Sequence, residues 1–371
     1  MKVQYSYLEK QFQNHGEIFK DFDKLINSGD YTLGEPVIEF ENKFAQLLDA
    51  KYAVGVNSGT DALFLSMKAV GIGEGDEVIT TPNTFIATVG AIVAAGAKPV
   101  FVDVLENFTI NPGLIEQAIT SKTKAIMPVH YAGHPADMST VMEIADQYRI
   151  NVIEDSCQAI SAAINNKYVG TFGVAGCFSL HPLKNLNVWG DGGIIITNSE
   201  ELYENLLLLR NHGLKNRDEV TIFGYNSRLD SLQAIVGNHL MKDIETITAK
   251  RIEWAGRIDL GLSDLNNYIT IPERKPDRRY VYHLYMLIVK DRDRLLTYLI
   301  DQGIEAKIHY PIPLHLQEAA RSLGYKEGDF PVTEAQCKST ITLPVHQHLQ
   351  KEHIDYMIEK IKRFYLPSHE S

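Results

Sequence analysis

Cysteine is scarce in this sequence: Cys157, Cys177 and Cys337 are odd in number, far apart and never in C-x-x-C spacing. That pattern excludes a disulfide framework and a cysteine-based zinc site, so the thiols read as buried or incidental. No apolar run approaches the roughly 20 residues that cross a bilayer, and the opening stretch MKVQYSYLEKQFQNHGEIFK lacks the apolar segment of a secreted precursor. The expectation is a cytoplasmic protein with no membrane partner. Basic residues are also in deficit, 36 Lys and Arg against 47 Asp and Glu, for a formal net charge of −11. Such a surface repels nucleic acid, and a phosphate-bearing ligand must be met by local donors. The histidines form no HExxH pattern, and His309 and His315 are separated by Pro311 and Pro313, so no metal is expected. The stretch GIGEGDE lacks the full G-x-G-x-x-G and follows a helix-like segment, which removes a dinucleotide site.

What is present is an ordinary globular composition, 44% hydrophobic and 22% charged over 371 residues. At roughly 150 residues per domain, that length suggests two units. In VIEFENKFAQLLDA the apolar residues Val37, Phe40, Phe44 and Leu47 recur at three and four, which is one face of a helix. Similar helix-like segments alternate with the short β-branched runs DEVITT, KPVFVDV, INVIED and GGIIITN. Those runs lack a clean in-out alternation, as expected of strands covered on both faces. The fold class is therefore α/β, a mostly parallel sheet flanked by helices. Near Met241 the pattern changes to a long helix, GNHLMKDIETITAKRIEWAGRIDLGLSDL, and then to a smaller α+β set. The expected division is a large domain over 1–245, including the N-terminal helical segment, and a small domain over 246–371.

In a parallel sheet, ligands bind beyond the carboxyl ends of the strands, so the loops that follow strands are the place to look for chemistry. VGVNSGTDALFLSMKA runs from a strand into a helix; Gly59 permits close approach, and Ser58 and Thr60 either cap the helix or join its free N–H groups in an anion site. NVIEDSCQA ends a strand on Glu154 and Asp155, where a carboxylate is costly without a cation or donor unless it caps a following helix. SLHPLKNLNVWGDGG sets Lys184 in a loop between an apolar approach and a glycine-rich exit, and FGYNSRLDSLQAIVG places Asn226 at a helix start. Lysine in a loop is ordinarily a solvated charge. Together, however, an amine that can condense with an aldehyde, a carboxylate that can hold a ring nitrogen protonated and a helix N-terminus that can grip phosphate are the parts needed to hold pyridoxal phosphate.

The segments VNSGTDAL, TPNTFIAT, VIEDSCQA, SLHPLKNLNVWGDGG, GYNSRLDSLQA and KIHYPIPLH, in this order, resemble the DegT/DnrJ/EryC1/StrS family of sugar aminotransferases, over about Tyr31 to Ile361. The resemblance implies the fold of aspartate aminotransferase, fold type I of the pyridoxal-phosphate transferases. It implies that Lys184 binds the cofactor covalently and then shuttles protons, while Asp155 pairs with the pyridine nitrogen. Phe85 would stack on the ring and Gln158 would lie beside its substituents. Gly59, Thr60 and Ser179 would take the phosphate, joined by Asn226 from the neighbouring subunit of a homodimer. Two departures lie on the substrate side: Leu180 follows Ser179 where the family often has Phe, and Asp191 stands where it often has Glu, with Trp189 just before.

The implied reaction is a two-stage transamination. L-glutamate would leave its amine on the cofactor as pyridoxamine phosphate, and a keto sugar linked to dTDP, UDP or GDP would then accept it. The ketone would lie at carbon 3 or carbon 4, with KIHYPIPLHLQ leaning to carbon 3. Such amino sugars serve surface polysaccharides, O-antigen among them, and natural products. His181, His309 and Tyr310 are the expected sugar contacts, and the basic run Arg274 to Arg279 is a second candidate for the diphosphate. Two other readings compete: a sugar dehydratase, whose family members carry histidine at the lysine position, and a non-catalytic regulatory or ligand-binding protein on the same scaffold.

Overall fold

The computed structural model describes residues 1–366. Seven strands form the main sheet: β1 Tyr52–Val56, β2 Glu77–Thr80, β3 Lys98–Phe101, β4 Thr123–Ile126, β5 Asn151–Asp155, β6 Ala175–Ser179 and β7 Gly193–Thr197. Their spatial order is β1-β7-β6-β5-β4-β2-β3. Pairing is parallel from β6 through β5, β4 and β2 to β3, and β7 is antiparallel to both of its neighbours. Six strands thus end at one edge of the sheet, and only β7 runs the other way.

Successive residues of one strand enter different cores, because the pleat sends them to opposite faces. Ile195 packs with Leu63, Leu65, Ile92 and Leu206 on one side. Its neighbours Ile194 and Ile196 pack with Phe40, Phe44 and Val236 on the other. Farther along the sheet, Ile126 and Val152 meet Val141 and Ile144. Both faces are dry, which is why β-branched residues fill these strands without alternation. The helix Glu35–Leu47 buries Val37, Phe40 and Phe44 as its spacing predicts; Leu47 is only half-buried, and Leu48, at the cap, is the fourth buried residue.

The C-terminal part centres on an antiparallel sheet of β8 Ile269–Thr270, β9 Tyr285–Val289 and β10 Thr340–Leu343. Helices Arg292–Asp301 and Lys351–Tyr365 cover it, and Leu299, Met357 and Ile361 share its core. The expected single long helix is two helices, Ser231–Met241 and Ile244–Leu262, broken at Lys242 and Asp243. Val3 lies in the C-terminal core, where its N–H donates to Gly303 O at 2.9 Å and its carbonyl accepts from Glu305 N at 3.0 Å.

The two carboxylates that end β5 have different fates. Glu154 is fully buried and accepts from Gly170 N at 2.7 Å, Phe172 N at 2.7 Å and Gly173 N at 2.8 Å, with His130 Nε2 at 3.0 Å. It is a structural anchor that ties the loop before β6 to the sheet, whereas Asp155, one residue on, belongs to the cleft. Removing a buried, fully satisfied carboxylate strands all of its donors at once. Glu154→Ala should therefore lower unfolding stability by about 3–5 kcal/mol, read from urea denaturation; a loss within about 1 kcal/mol would show that the loop holds itself.

Candidate active site

A cleft of about 320 Å³ lies at the carboxyl edge of the main sheet. The turns after β1, β5 and β6 contribute to it, together with residues of the C-terminal part and the N-terminal segment. Of the residues proposed from sequence, Gly59, Thr60, Phe85, Asp155, Gln158, Ser179, His181, Lys184, His309 and Tyr310 all line this one space. Asn226 does not: it is exposed and its backbone bridges to Asn211, although the hydroxyl of its neighbour Ser227 donates to Asp61 Oδ2 at 2.7 Å, just after β1.

After β1 the chain turns directly into the helix Gly59–Ala69. Ser58 caps it, its hydroxyl accepting from Asp61 N at 3.0 Å. The amides of the first turn have no partner inside a helix and carry the positive end of its dipole. Capping and anion binding are thus compatible here. A Cβ on Gly59 would sit 2.6 Å from Ser179 Cβ, so only glycine lets the helix start approach the end of β6 this closely.

Asp155 is buried, 4% exposed. Its Oδ2 accepts from Thr88 Oγ1 at 2.7 Å, Thr88 contacts Thr84 Oγ1 at 2.8 Å, and Oδ1 accepts from Cys157 N at 3.2 Å. No α-helix follows it, so it closes a turn rather than capping a helix. Among the described residues no lysine, arginine or histidine forms an ion pair with it. A buried carboxylate held by two hydrogen bonds and no cation can accept a further donor or a cationic group from a ligand.

Lys184 closes a tight turn in which its N–H donates to His181 O at 2.8 Å. Burial pushes its amine below the ordinary lysine range, while Cys157 and the Asp155 carboxylate pull it back up. Lowering the amine's affinity for its proton makes it a better nucleophile and proton carrier. Phe85, at the start of helix Ile86–Ala94, leaves its ring 48% exposed, with Tyr310 at 5.9 Å between centroids. Gln158 is oriented by Ala132 N, which donates to its Oε1 at 2.7 Å.

The C-terminal wall is polar but uncharged. Burial, aided by Lys184 and Lys307, pushes His309 down to about 4, and its Nδ1 lies 2.9 Å from Thr342 Oγ1. Burial and the Asp155 charge push Tyr310 up to about 12. His181, on the lysine turn, is lowered by burial and by Lys184, and its Nδ1 accepts from Leu183 N at 3.3 Å. The arginine run is employed elsewhere: Arg274 pairs with Asp259 at 3.2 Å, Arg279 with Glu245 at 2.6 Å, and Arg278 donates to Pro135 O at 2.9 Å. None of the three lines the cleft.

Sequence reasoning missed Tyr5, Thr84, Thr88, Cys157, His283 and Leu284 as lining residues. Thr84 and Thr88 were within reach, since TPNTFIAT spaces them one helical turn apart at a helix start. Tyr5 and His283 carry no local signal, because only the tertiary fold brings the two ends of the chain to the lysine turn.

Histidines held neutral by burial make stability depend on pH. The unfolded imidazole takes its proton near pH 6.5. His134 and His283 lie well below that value, His309 at about 4 and His346 at about 3, each chiefly through burial. Between these values the unfolded chain binds more protons, so stability is present above pH 6.5 and is lost as pH falls toward 4. The urea midpoint should fall between pH 7 and pH 5, and by less in His309→Asn than in the parent. Equal losses in the two would mean that His309 is not held neutral.

Comparisons with known proteins agree with this geometry. A sequence model of the DegT/DnrJ/EryC1/StrS aminotransferase family matches residues 13–362. The chain is 41% identical to the pleiotropic regulatory protein of Geobacillus stearothermophilus, covering 98% of this chain and 99% of that one. It is also 41% identical to the dTDP-3-amino-3,6-dideoxy-alpha-D-galactopyranose transaminase of Aneurinibacillus thermoaerophilus, covering 94% and 95%. The crystal structure of S. venezuelae DesV in complex with a ketimine intermediate superposes with a TM-score of 0.95 at 36% identity, covering 98% of each chain. With a match that runs nearly end to end and a cleft that gathers the expected residues apart from Asn226 and the arginine run, the chain belongs to the DegT/DnrJ/EryC1/StrS aminotransferase family.

Proposed function

We propose that this protein transfers an amino group from L-glutamate to a nucleotide-linked keto sugar, with the ketone at carbon 3 or carbon 4 of a deoxysugar bound to dTDP, UDP or GDP. The class is firm: it is a sugar aminotransferase that uses pyridoxal 5'-phosphate and passes through its pyridoxamine form. The observation that carries the reading is the convergence of Lys184, the cation-free carboxylate of Asp155 and a free helix N-terminus in one cleft.

The bound cofactor supplies an electron sink for the carbanion formed when the amino acid's α-proton leaves. The residues supply the rest. Lys184 attaches the cofactor and then carries that proton. Asp155 holds the ring nitrogen protonated, itself fixed by Thr88. The Gly59 and Thr60 amides and the Ser179 hydroxyl take the phosphate, Phe85 covers one ring face, and Gln158 lies at the ring's edge. Asn226 completes the phosphate site of a second copy, which makes the working unit a homodimer; its exposure and its absence from the lining of its own cleft support this. His181, His309 and Tyr310 form the sugar side, where neutral donors and acceptors suit hydroxyl and keto oxygens. We also place the division between the two domains near residue 245, with Val3 crossing into the C-terminal core.

The printed name of the Geobacillus relative supports a second reading, a regulatory protein without turnover. The lysine at 184 stands against a dehydratase. Among the described residues no helix is long and apolar enough to cross a membrane, and the product would serve amino-sugar synthesis for surface polysaccharides or natural products.

Borohydride reduction of the holoenzyme should fix the cofactor on Lys184, read by peptide mass spectrometry, and one member of a panel of keto nucleotide sugars should return the pyridoxamine form to the aldehyde form. Label on another lysine rejects the site. No response across the panel favours the regulatory reading. Within the responding pair, His309→Asn should raise KM for the sugar while the glutamate half-reaction is retained, and an unchanged KM removes His309 from the sugar side.

Asp155→Asn keeps shape and burial but cannot hold a proton on the ring nitrogen. The single-turnover rate with glutamate should fall by about 100-fold or more, the scale of losing one preorganised electrostatic partner; a near-normal rate would make the carboxylate structural.

A further inference from the structure

Tyr7 belongs to the N-terminal segment, yet its hydroxyl reaches the lysine turn. It donates to the main-chain carbonyl of Lys184 at 3.0 Å and stands 3.4 Å from that of Leu183. The ring is buried, 5% exposed, with the His346 ring 5.0 Å away and the Arg251 guanidinium 5.3 Å from its centroid. Arg251 is itself fixed by the carbonyls of Tyr282 at 3.0 Å and Val345 at 2.9 Å. The hydroxyl is therefore aimed from a rigid support.

The rest of the turn is clamped from within or from the C-terminal side. Asn185 Nδ2 donates to Val281 O at 2.9 Å, Asn187 Nδ2 donates to Pro182 O, and Lys184 N donates to His181 O at 2.8 Å. Among the described residues it is Tyr7 that meets the Lys184 carbonyl. The segment that carries Tyr7 is tied at its other end to the C-terminal core: Val3 bridges Ile304, Tyr5 N donates to Glu305 Oε2 at 3.0 Å, and the Tyr5 ring stacks on His309 at 5.9 Å.

We propose that Tyr7 is a positioning residue for Lys184, fixing the main chain from which the amine enters the cleft, and that residues 3–7 form a strap that transmits this restraint from the C-terminal core. A lysine side chain can absorb a backbone shift only by leaving its preferred torsions, so a displaced main chain either moves the amine or strains the chain that carries it. A misplacement of about 1 Å can cost about 100-fold in rate. The restraint matters twice, because the same amine must both hold the cofactor and move a proton. This inference rests on reading Lys184 as the cofactor's lysine.

Tyr7→Phe keeps the ring and its packing against Arg251 and removes the hydroxyl, with its bond to the Lys184 carbonyl and its contacts with the Arg251 and Asn187 side chains. Tyr365→Phe is the matched control, since Tyr365 is also buried and donates to a main-chain carbonyl, Lys290 O at 2.6 Å, in the C-terminal core away from the cleft. In Tyr7→Phe holoenzyme the pH midpoint of the bound cofactor's visible absorbance should move by half a unit or more, and kcat should fall about tenfold with KM for the sugar unchanged. Tyr365→Phe should shift neither. An unmoved midpoint, or equal shifts in both variants, overturns the proposal. Should Tyr7→Phe not fold, Glu305→Ala loosens the strap from outside the cleft and should move the same midpoint; no movement there also overturns it. Borohydride labelling of the parent separates the two claims: label on Lys184 without a shift in Tyr7→Phe rejects only the positioning role, and label elsewhere rejects both.

Discussion

A single carboxylate buried without a cation governs the design of this cleft. Asp155 ends the fifth strand of a sheet that is dry on both faces, where an ionised group is tolerated only when its charge is met. The protein supplies two hydrogen bonds, from Thr88 and Cys157, and leaves the remaining compensation to a ligand. Thr88 is itself held by Thr84, so the carboxylate's direction is set before anything binds. A cationic group bound at this point would relieve a cost already present in the fold, which would make ligand affinity and protein stability parts of the same balance.

The sheet converts that local demand into a site. Because β1, β5 and β6 run in the same direction, their outgoing turns share one edge, and the phosphate donors, the carboxylate and the lysine meet without any long excursion. The packing requirement is severe at the helix start after β1, where Gly59 faces Ser179 and a side chain would push the donors away from β6. Glu154 shows the complementary arrangement: one residue from Asp155, on the opposite face of the pleat, it is used up by three backbone N–H groups and the His130 ring.

The extent to which the sequence foretold this follows the range of each interaction. The lysine turn, the strand-end Asp155 and the helix start belong to local patterns, and each lies in the cleft where strand polarity places it. The residue pattern alone did not say which of Glu154 and Asp155 faces the cleft, because a pleat assigns faces only once the strand's register is known; it was the family resemblance that singled out Asp155. The arginine run looked like a phosphate clamp, but a charge run carries no information about its partners, and Asp259 and Glu245 had already claimed two of its members. Tyr5, Tyr7 and His283 were invisible for a stronger reason: they reach the lysine turn only through contacts between segments about 100 residues or more apart in the chain.

Strand β7 is the one reversed member of the main sheet, and it follows the lysine turn directly. Residues 180–192 therefore form a hairpin-like connection, whose ends are paired as Ser179 opposite Gly193. A Cβ on Gly193 would lie 2.2 Å from the Ser58 carbonyl oxygen, so this junction also locks against the helix start after β1. The lysine is thus carried on a module with both feet fixed in neighbouring strands. Such a module can exchange an exposed residue such as Asp191, which lines the cleft, without moving its attachment points, whereas Trp189 is held against Phe12, Phe19 and Phe22. Divergence in substrate choice can then proceed by rewriting the hairpin's outer surface while the amine's point of origin stays constant, an arrangement equally open to loop grafting between members of the family.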